Sequence, residues 1–140
     1  MIDDLDRELI ALLRADSRKP AATLAKALSV SRGTVQNRIE RLVREGTIQG
    51  FTIKTRPDAS NRVRAVMTIA IEGERSGAVV RVLRGFPEVA AVHTTNGRWD
   101  LVAELEVETL AAFSAALDRI RQIEGIASTE TSILLATQKM

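Results

Sequence analysis

The chain has 140 residues, 45% of them apolar, and a formal net charge of +2, a composition typical of a globular protein rather than a disordered one. It contains no cysteine, which excludes disulfides, a thiolate nucleophile and cysteine-based metal sites. No apolar run approaches the roughly 18 residues of a membrane span. The acidic start MIDDLDRE also lacks the apolar region of a signal peptide, so we expect a cytoplasmic protein.

The charge is distributed unevenly along the chain. Residues 1–62 carry twelve basic and eight acidic side chains, a balance of +4, whereas residues 63–140 carry eight basic and ten acidic ones, a balance of −2. Such an asymmetry is more informative than the total, and it favours a polyanionic partner for the first part only.

Three helices are predicted near residues 3–15, 21–28 and 32–45. Acidic residues open the first, Pro20 suits the first turn of the second, and Ser31 is a good N-cap for the third, with Val30 and Val35 placed as a hydrophobic staple. A short helix, a three-residue turn and a longer basic helix form a helix-turn-helix. The turn often requires a positive φ at Ser29, which costs a serine roughly 1 kcal/mol.

The third predicted helix has two distinct faces. Val35, Ile39, Leu42 and Val43 recur at the spacing of a buried stripe. The opposite face could simply be solvated, but between residues 17 and 56 only two side chains are acidic, against nine Lys and Arg. We therefore predict that this helix contacts DNA. The base-reading set is Arg32, Thr34, Gln36, Asn37 and Arg38; Ser31, Arg41 and Arg44 hold phosphates, with Lys54 and Arg56 as peripheral contacts.

A short strand and a linker are predicted after this helix. Gly46 is placed as the C-cap glycine, and TIQGFTIKT (47–55) has a β pattern with Ile48, Phe51 and Ile53 as its apolar members. Residues 56–61 form a polar turn that marks the best domain boundary. The predicted organisation is a helix-turn-helix domain over 1–50, a strand and linker over 51–62, and a second domain over 63–140.

The second domain alternates strands and helices. Strands are predicted at 64–72, 89–95, about 101–107 and 126–137, and Asn96-Gly97 is predicted to form a two-residue hairpin. Ser76 is predicted to cap one helix and Thr109 the other, which Glu124-Gly125 ends. The apolar face of the first helix is Val79, Val80 and Leu83, and that of the second is Leu110, Phe113, Leu117 and Ile120. On the third strand, Leu101, Ala103, Leu105 and Val107 face inward.

The resulting order is βαββαβ, the ferredoxin-like arrangement of an antiparallel sheet with two helices on one face. Its other face stays bare and is often covered by a second copy of the chain. The predicted fold class is α+β, with an N-terminal helix-turn-helix (winged-helix-like) domain joined to a C-terminal ferredoxin-like domain.

This combination resembles the Lrp/AsnC (leucine-responsive/asparagine regulator) family of bacterial and archaeal transcription factors. The resemblance covers nearly the whole chain, and its most specific carriers are RIERLVREGTIQGF (38–51) and the Gly97-x-x-Asp100 pattern in NGRWDLVAELEV. It implies a sequence-specific, nucleoid-associated DNA-binding regulator. It further implies that the TIQGFTIKT strand pairs with its counterpart in a homodimer, and that such dimers assemble into octamers around which DNA wraps.

The resemblance also implies an effector site for an amino acid or a related metabolite, and no other cofactor. Gly97 and Asp100 match the family's effector-loop motif, with Thr94, Thr95, Asn96, Arg98 and Trp99 beside them. A glycine turn can hold a carboxylate, Asp100 can receive an ammonium, and Trp99 can wall an apolar side chain. Alternatively, Asp100 is a solvated edge residue and Trp99 a packing anchor at a subunit interface. If an effector does bind, Arg98 instead favours one with an anionic group.

Two other function classes are less consistent with the residues. Some Lrp/AsnC-like proteins are haem-precursor decarboxylases that use histidine, but His93 is the only histidine here and is predicted to lie on a strand. A DNA-free amino-acid sensor would not need residues 17–46. Neither a phosphate loop nor a metal-ligand cluster is evident, and the acidic DxxD at Asp3 is interpreted as helix amphipathicity. We therefore expect a regulator and not an enzyme.

Overall fold

The computed structural model describes residues 1–56 and 61–139. The chain divides into two compact units, Met1–Lys54 and Thr55–Met140, and the division falls at the end of the predicted strand, just before the predicted polar turn. The core of the predicted polar turn, residues 57–60, lies outside the described residues.

The first unit contains three helices, α1 (Asp4–Ala15), α2 (Ala21–Leu28) and α3 (Arg32–Arg44). Asp3 and Asp6 start α1 with a capping box, in which each carboxylate accepts the other residue's backbone N–H. Ser31 caps α3 as predicted, because its hydroxyl oxygen accepts the Thr34 N–H at 3.1 Å. Pro20 occupies the N-cap position of α2, so the helix begins one residue later.

The helices enclose one apolar cluster, formed by Leu9, Leu13, Leu24, Ala25, Val35 and Leu42. The prediction that Val43 joins the buried stripe is wrong, since its side chain is exposed. The neighbouring helices cover only a narrow arc of α3, and Val43 lies beyond that arc. Ile39 is half-buried at its border.

Two left-handed residues shape the ends of these helices. Ser29 has φ 56° and ψ 41°, which confirms that the turn before α3 requires a positive φ. Gly46 has φ 76° directly after the C-cap Glu45, in agreement with its predicted role. In the single chain the strand predicted over 47–55 does not form. A β-strand needs a hydrogen-bonding neighbour, and the described part of this unit offers none.

The second unit is a four-stranded antiparallel sheet with two helices. Its elements are β1 (Val63–Ile71), α4 (Ser76–Arg84), β2 (Val89–Thr94), β3 (Leu101–Val107), α5 (Leu110–Arg121) and β4 (Ile126–Ile133). The strand order β2-β3-β1-β4 confirms the ferredoxin-like topology. In the register, Met67 of β1 lies opposite Ala103 and Thr131.

The core of this unit lies between one sheet face and the two helices. The four inward residues predicted on β3 are buried, as are Val79, Leu83, Phe113 and Ile120 from the helices. On the opposite sheet face, Val66, Thr68 and Val102 remain partly exposed. The sheet is therefore covered on one side, as the βαββαβ order predicts.

Several predicted details of the helices are wrong. Arg75, not Ser76, is the N-cap of α4, because Ser76 already lies inside the first helical turn. Leu110 is exposed in the first turn of α5, and Ala116 takes a place on the buried face instead. This helix ends at Arg121, before Glu124-Gly125, because residues 122–125 turn the chain into β4. That strand ends at Ile133 and not at residue 137, although the Leu134 N–H still donates to the Arg64 carbonyl of β1.

The two-residue hairpin predicted at Asn96-Gly97 is also wrong. β2 and β3 are joined by six residues, 95–100, and neither Asn96 nor Gly97 has the positive φ that a type I′ turn requires. The longer connection is held by Asp100, whose N–H donates to the Ile69 oxygen at 2.9 Å and whose Oδ2 accepts the Ile71 N–H at 2.7 Å. No helix in the described ranges is long and apolar enough to cross a membrane.

Candidate nucleic-acid interface and effector loop

The exposed face of α3 carries five of the eight residues predicted to contact DNA: Ser31, Arg32, Gln36, Asn37 and Arg44. Among the described residues, Arg32 and Arg44 form no ion pair, and Glu40 is the one acidic side chain within α3. This face of the helix therefore presents two guanidiniums without an ion-pair partner among the described residues, from Arg32 and Arg44, and the side-chain amides of Gln36 and Asn37. Such groups can hydrogen-bond base edges and phosphates.

The other three predicted DNA contacts, Thr34, Arg38 and Arg41, form a half-buried stripe at i, i+4 and i+7 beside the apolar face. The Thr34 hydroxyl lies 2.8 Å from the Ser31 hydroxyl. Both arginines donate to carboxylates of the first helix, so in the free chain their guanidiniums are already engaged. Their predicted roles in base reading and phosphate binding stay predictions.

The arginines meet Asp3 and Asp6 in a compact cluster. Nη1 of Arg38 lies 2.5 Å from Oδ2 of Asp3 and 3.1 Å from Oδ1 of Asp6, and Nη2 of Arg41 lies 2.5 Å from Oδ2 of Asp6. Nε of Arg41 is buried and has no partner among the described residues. We call these four residues the carboxylate–arginine cluster; it ties α1 to α3.

Asp6 is ionised in this cluster although it is fully buried. Burial raises the pKa of its carboxyl, but hydrogen bonds from the Asp3 N–H, Arg41 and Arg38 outweigh burial and bring that pKa to about 2. The hydrogen bond from Arg38, followed by that from the Asp6 N–H, lowers the pKa of Asp3 as well. The same pairing raises the pKa of Arg38.

The role of Asp3 and Asp6 in this cluster does not follow from the DxxD pattern when that pattern is interpreted only as helix amphipathicity. A signal was present, since Asp6, Leu9 and Leu13 fall on one face of α1 at i, i+3 and i+7. A carboxylate inside an apolar stripe needs a buried cationic partner. Only the packing of α3 against α1 identifies that partner.

Residues 94–100, the predicted effector site, lie together at the end of β2 and in the loop to β3. The Thr95 hydroxyl donates to the Trp99 carbonyl and accepts the Gly97 N–H, which braces the loop from inside. The Arg98 guanidinium lies 5.4 Å from the centre of the Trp99 ring. These residues are exposed apart from the half-buried Trp99, so one chain presents them on its surface.

Asp100 has a structural contact in addition to its predicted role as a partner for an ammonium group. One of its carboxylate oxygens accepts the Ile71 N–H at the end of β1, so the side chain also fixes the loop to the sheet. His93 lies on a strand as predicted, with Nε2 2.8 Å from Oε2 of Glu104. Within residues 1–56 and 61–139, no group of three or more His, Asp and Glu side chains could hold a metal ion.

Comparison with known proteins covers both units. Residues 2–43 match the model of the AsnC-type helix-turn-helix domain, and residues 64–140 match that of the Lrp/AsnC ligand binding domain. The HTH-type transcriptional regulator FL11 of Pyrococcus furiosus is 29% identical over 140 residues, covering 99% of this chain and 93% of FL11.

Solved structures show the same architecture. E. coli AsnC has a TM-score of 0.80 at 27% identity, with 100% of this chain and 96% of AsnC covered. A transcriptional regulator of Neisseria meningitidis, solved as a complex with L-Met, has a TM-score of 0.79 at 19% identity, covering 100% of this chain and 94% of that one. At that identity the second likeness shows the fold alone.

Proposed function

The chain belongs to the Lrp/AsnC family of transcriptional regulators, and from this premise we propose how its two units bind DNA and an effector. The observation that carries the DNA-binding mode is the exposed face of α3, where Arg32 and Arg44 are free of acidic partners among the described residues. Arg32, Gln36 and Asn37 enter the major groove, while Ser31 and Arg44 hold phosphates. Lys54 and Arg56 are exposed and add peripheral contacts.

The chemistry of this face suits duplex DNA. An amide side chain can pair with the N6 and N7 edge of adenine, and a guanidinium can pair with O6 and N7 of guanine. Phosphate contacts by Arg44 add affinity without sequence preference and make binding depend on salt. The proposed function is thus sequence-specific transcriptional regulation in the cytoplasm, on nucleoid DNA, with no catalytic step.

A binding titration tests this proposal, using DNA that the wild-type protein selects from a random pool. Gln36→Ala should weaken binding to the selected sequence by about 1–3 kcal/mol and relax the preference at one base pair. Arg44→Ala should weaken binding to every sequence and reduce the salt slope by about one. Gln122→Ala and Arg84→Ala, which change exposed residues of the second unit, are the matched controls.

The proposed contacts are refuted if Gln36→Ala and Arg44→Ala bind selected DNA with the affinity and salt slope of their controls. A chain that selects no sequence from the pool would refute sequence-specific binding altogether.

We also propose that the chain works as a homodimer built through residues 47–54. Among the described residues, the backbone of 49–54 makes no hydrogen bond, and Phe51 and Ile53 are 56% and 80% exposed. The same segment and the end of α1 line an open cleft of about 760 Å³. Pairing with the same segment of a second copy would complete the strand that the sequence predicts and bring two α3 helices to a pseudo-palindromic site. Further association of dimers would give the octamer.

The proposed effector is an amino acid or a related small metabolite bound at residues 94–100. Support comes from the ligand-binding-domain match of the second unit and from the meningococcal protein of the same fold, which was solved as a complex with L-Met. Asp100 would receive the ammonium group and Trp99 would wall the side chain. Arg98 would instead suit an effector with an anionic side chain.

A further inference from the structure

We propose that Arg38 is a phosphate-binding residue whose guanidinium is occupied, in the free protein, by the carboxylate of Asp3. Asp3 thereby competes with the DNA backbone and lowers the affinity for DNA. This inference rests on the proposed DNA-binding role of α3. It assigns to the carboxylate–arginine cluster a function beyond holding two helices together.

The two carboxylates of the cluster differ in how firmly they are held. Asp6 is 0% exposed and binds both arginines, so it forms the permanent part of the cluster. The Asp3 side chain is 53% exposed and forms an ion pair with Arg38 alone, whose side chain is itself 27% exposed. An exposed ion pair is weak, so a phosphate that approaches from solvent can exchange with Asp3 while the Asp6 contact stays in place.

Losing the Arg38 contact would not dismantle the start of α1. Oδ1 of Asp3 accepts the Asp6 N–H at 2.8 Å, whereas the other oxygen, Oδ2, binds Arg38. The N-cap bond and the ion pair therefore use different oxygens of one carboxylate. The ion pair can open while the cap persists.

The position of Arg38 suits a phosphate. It is the residue after Asn37, on the flank between the exposed face of α3 and the side that contacts α1. When the exposed face enters a major groove, the flanks of the helix border the phosphates on either side. Nη1 of Arg38 donates to one oxygen of the Asp3 carboxylate, and the same N–H donor can serve a phosphate oxygen, which carries charge of the same sign.

Asp3→Asn tests this competition, because asparagine is as good an N-cap as aspartate but carries no charge. We expect Asp3→Asn to bind the selected DNA about two- to fivefold more tightly than wild type at low salt. Asp4→Asn is the matched control: it removes the same charge from the next residue, whose carboxylate pairs with Arg7 in the same helix. The control should bind clearly less tightly than Asp3→Asn, and circular dichroism checks that both variants fold.

A double-mutant cycle with Arg38→Gln shows whether Asp3 acts through Arg38. In the Arg38→Gln background, Asp3→Asn should change affinity no more than Asp4→Asn does. Equal affinities for Asp3→Asn and Asp4→Asn, or an Asp3→Asn gain that persists without Arg38, would overturn the proposal. If Gln36→Ala still weakens selected-DNA binding in that case, the proposed function stands and this inference alone fails. If the wild-type chain selects no DNA, both fail.

Discussion

At the scale of single residues, Asp6 is the buried charge on which the first unit depends. It is the one charged side chain that is buried among the described residues, and every polar partner it has comes from the capping box or from two arginines of α3. Removing one partner of such an ion pair leaves the remaining charge buried and unpaired, which lowers the free energy of unfolding. Asp6 therefore holds α3 against α1 through Arg38 and Arg41.

We expect Asp6→Asn to reduce the free energy of unfolding by about 2 kcal/mol at pH 7. The effect should depend on pH. The folded-state pKa of about 2 lies below the ordinary value of 3.8, so the stability that Asp6 contributes is fully present above about pH 4 and is lost as the pH falls toward 2. Denaturant titrations followed by circular dichroism at pH 7, 4 and 3 measure both effects.

Asp4→Asn provides the comparison, because Asp4 is exposed and pairs within its own helix. It should leave the stability nearly unchanged at pH 7. An Asp6→Asn variant that loses as much stability between pH 4 and pH 3 as wild type would contradict the assigned role of this carboxylate.

Among the single elements, the β2–β3 loop shows how hydrogen bonds to the loop can override a local turn preference of the sequence. Asn96-Gly97 favours a tight turn, yet the loop spans six residues because Thr95 and Asp100 hydrogen-bond its backbone and the neighbouring strand. Gly97, Arg98 and Trp99 all lie in this loop, and the Arg98 guanidinium lies over the Trp99 ring. The proposed effector site thus depends on an interaction between β1 and the loop.

Asp100→Asn should distinguish the proposed contact with the effector's ammonium group from the hydrogen bond that Asp100 accepts from the Ile71 N–H. Asparagine keeps an oxygen that can accept the Ile71 N–H, but it loses the charge that would bind an ammonium group. We expect the amino acid that raises the melting temperature of the wild type to bind Asp100→Asn at least about tenfold more weakly. Thermal shift with all twenty amino acids, followed by calorimetry, measures this.

Asp118→Asn, an exposed charge removal on α5, is the control and should bind the effector normally. Unchanged affinity in Asp100→Asn would place the effector elsewhere in the second unit. If none of the twenty amino acids shifts the melting temperature, the amino-acid effector is refuted.

For the whole molecule, the important segment is 47–54. In a single chain the backbone of residues 49–54 has no hydrogen-bonding partner among the described residues. Their pattern is that of a strand, but no strand forms, and Phe51 and Ile53 face solvent. An unpaired edge with exposed apolar side chains is unfavourable unless another chain covers it. The proposed homodimer would supply hydrogen-bonding partners for this segment and would account for its strand pattern.

We expect Ile53→Asp to weaken the dimer, since it places a charge where an apolar contact would be buried. Sedimentation equilibrium should show a smaller mass, or a dissociation constant raised at least about tenfold. Val82→Asp, a change at another exposed apolar residue on α4, is the control and should leave the dimer intact. A wild-type chain that is monomeric at micromolar concentration would refute the dimer.

The helices of the first unit, the βαββαβ order and the family resemblance could all be predicted from the amino-acid sequence alone. These depend on caps, turn residues and apolar spacing, which act within a few residues of one another, as Ser31 and Ser29 illustrate. The sequence also located the exposed half of the α3 face, because helical spacing alone decides which side chains oppose Val35 and Leu42.

The hydrogen-bonding partners of Arg38, Arg41 and the β2–β3 loop became evident only from the packing of the elements against one another. Arg38 and Asp3 are separated by 35 positions in the chain, and no local rule links a cation on one helix to a carboxylate on another. Likewise, Asp100 meets the Ile71 N–H across a separation of 29 residues. Local patterns fix what each element is, whereas the partners of its polar groups depend on which elements pack together.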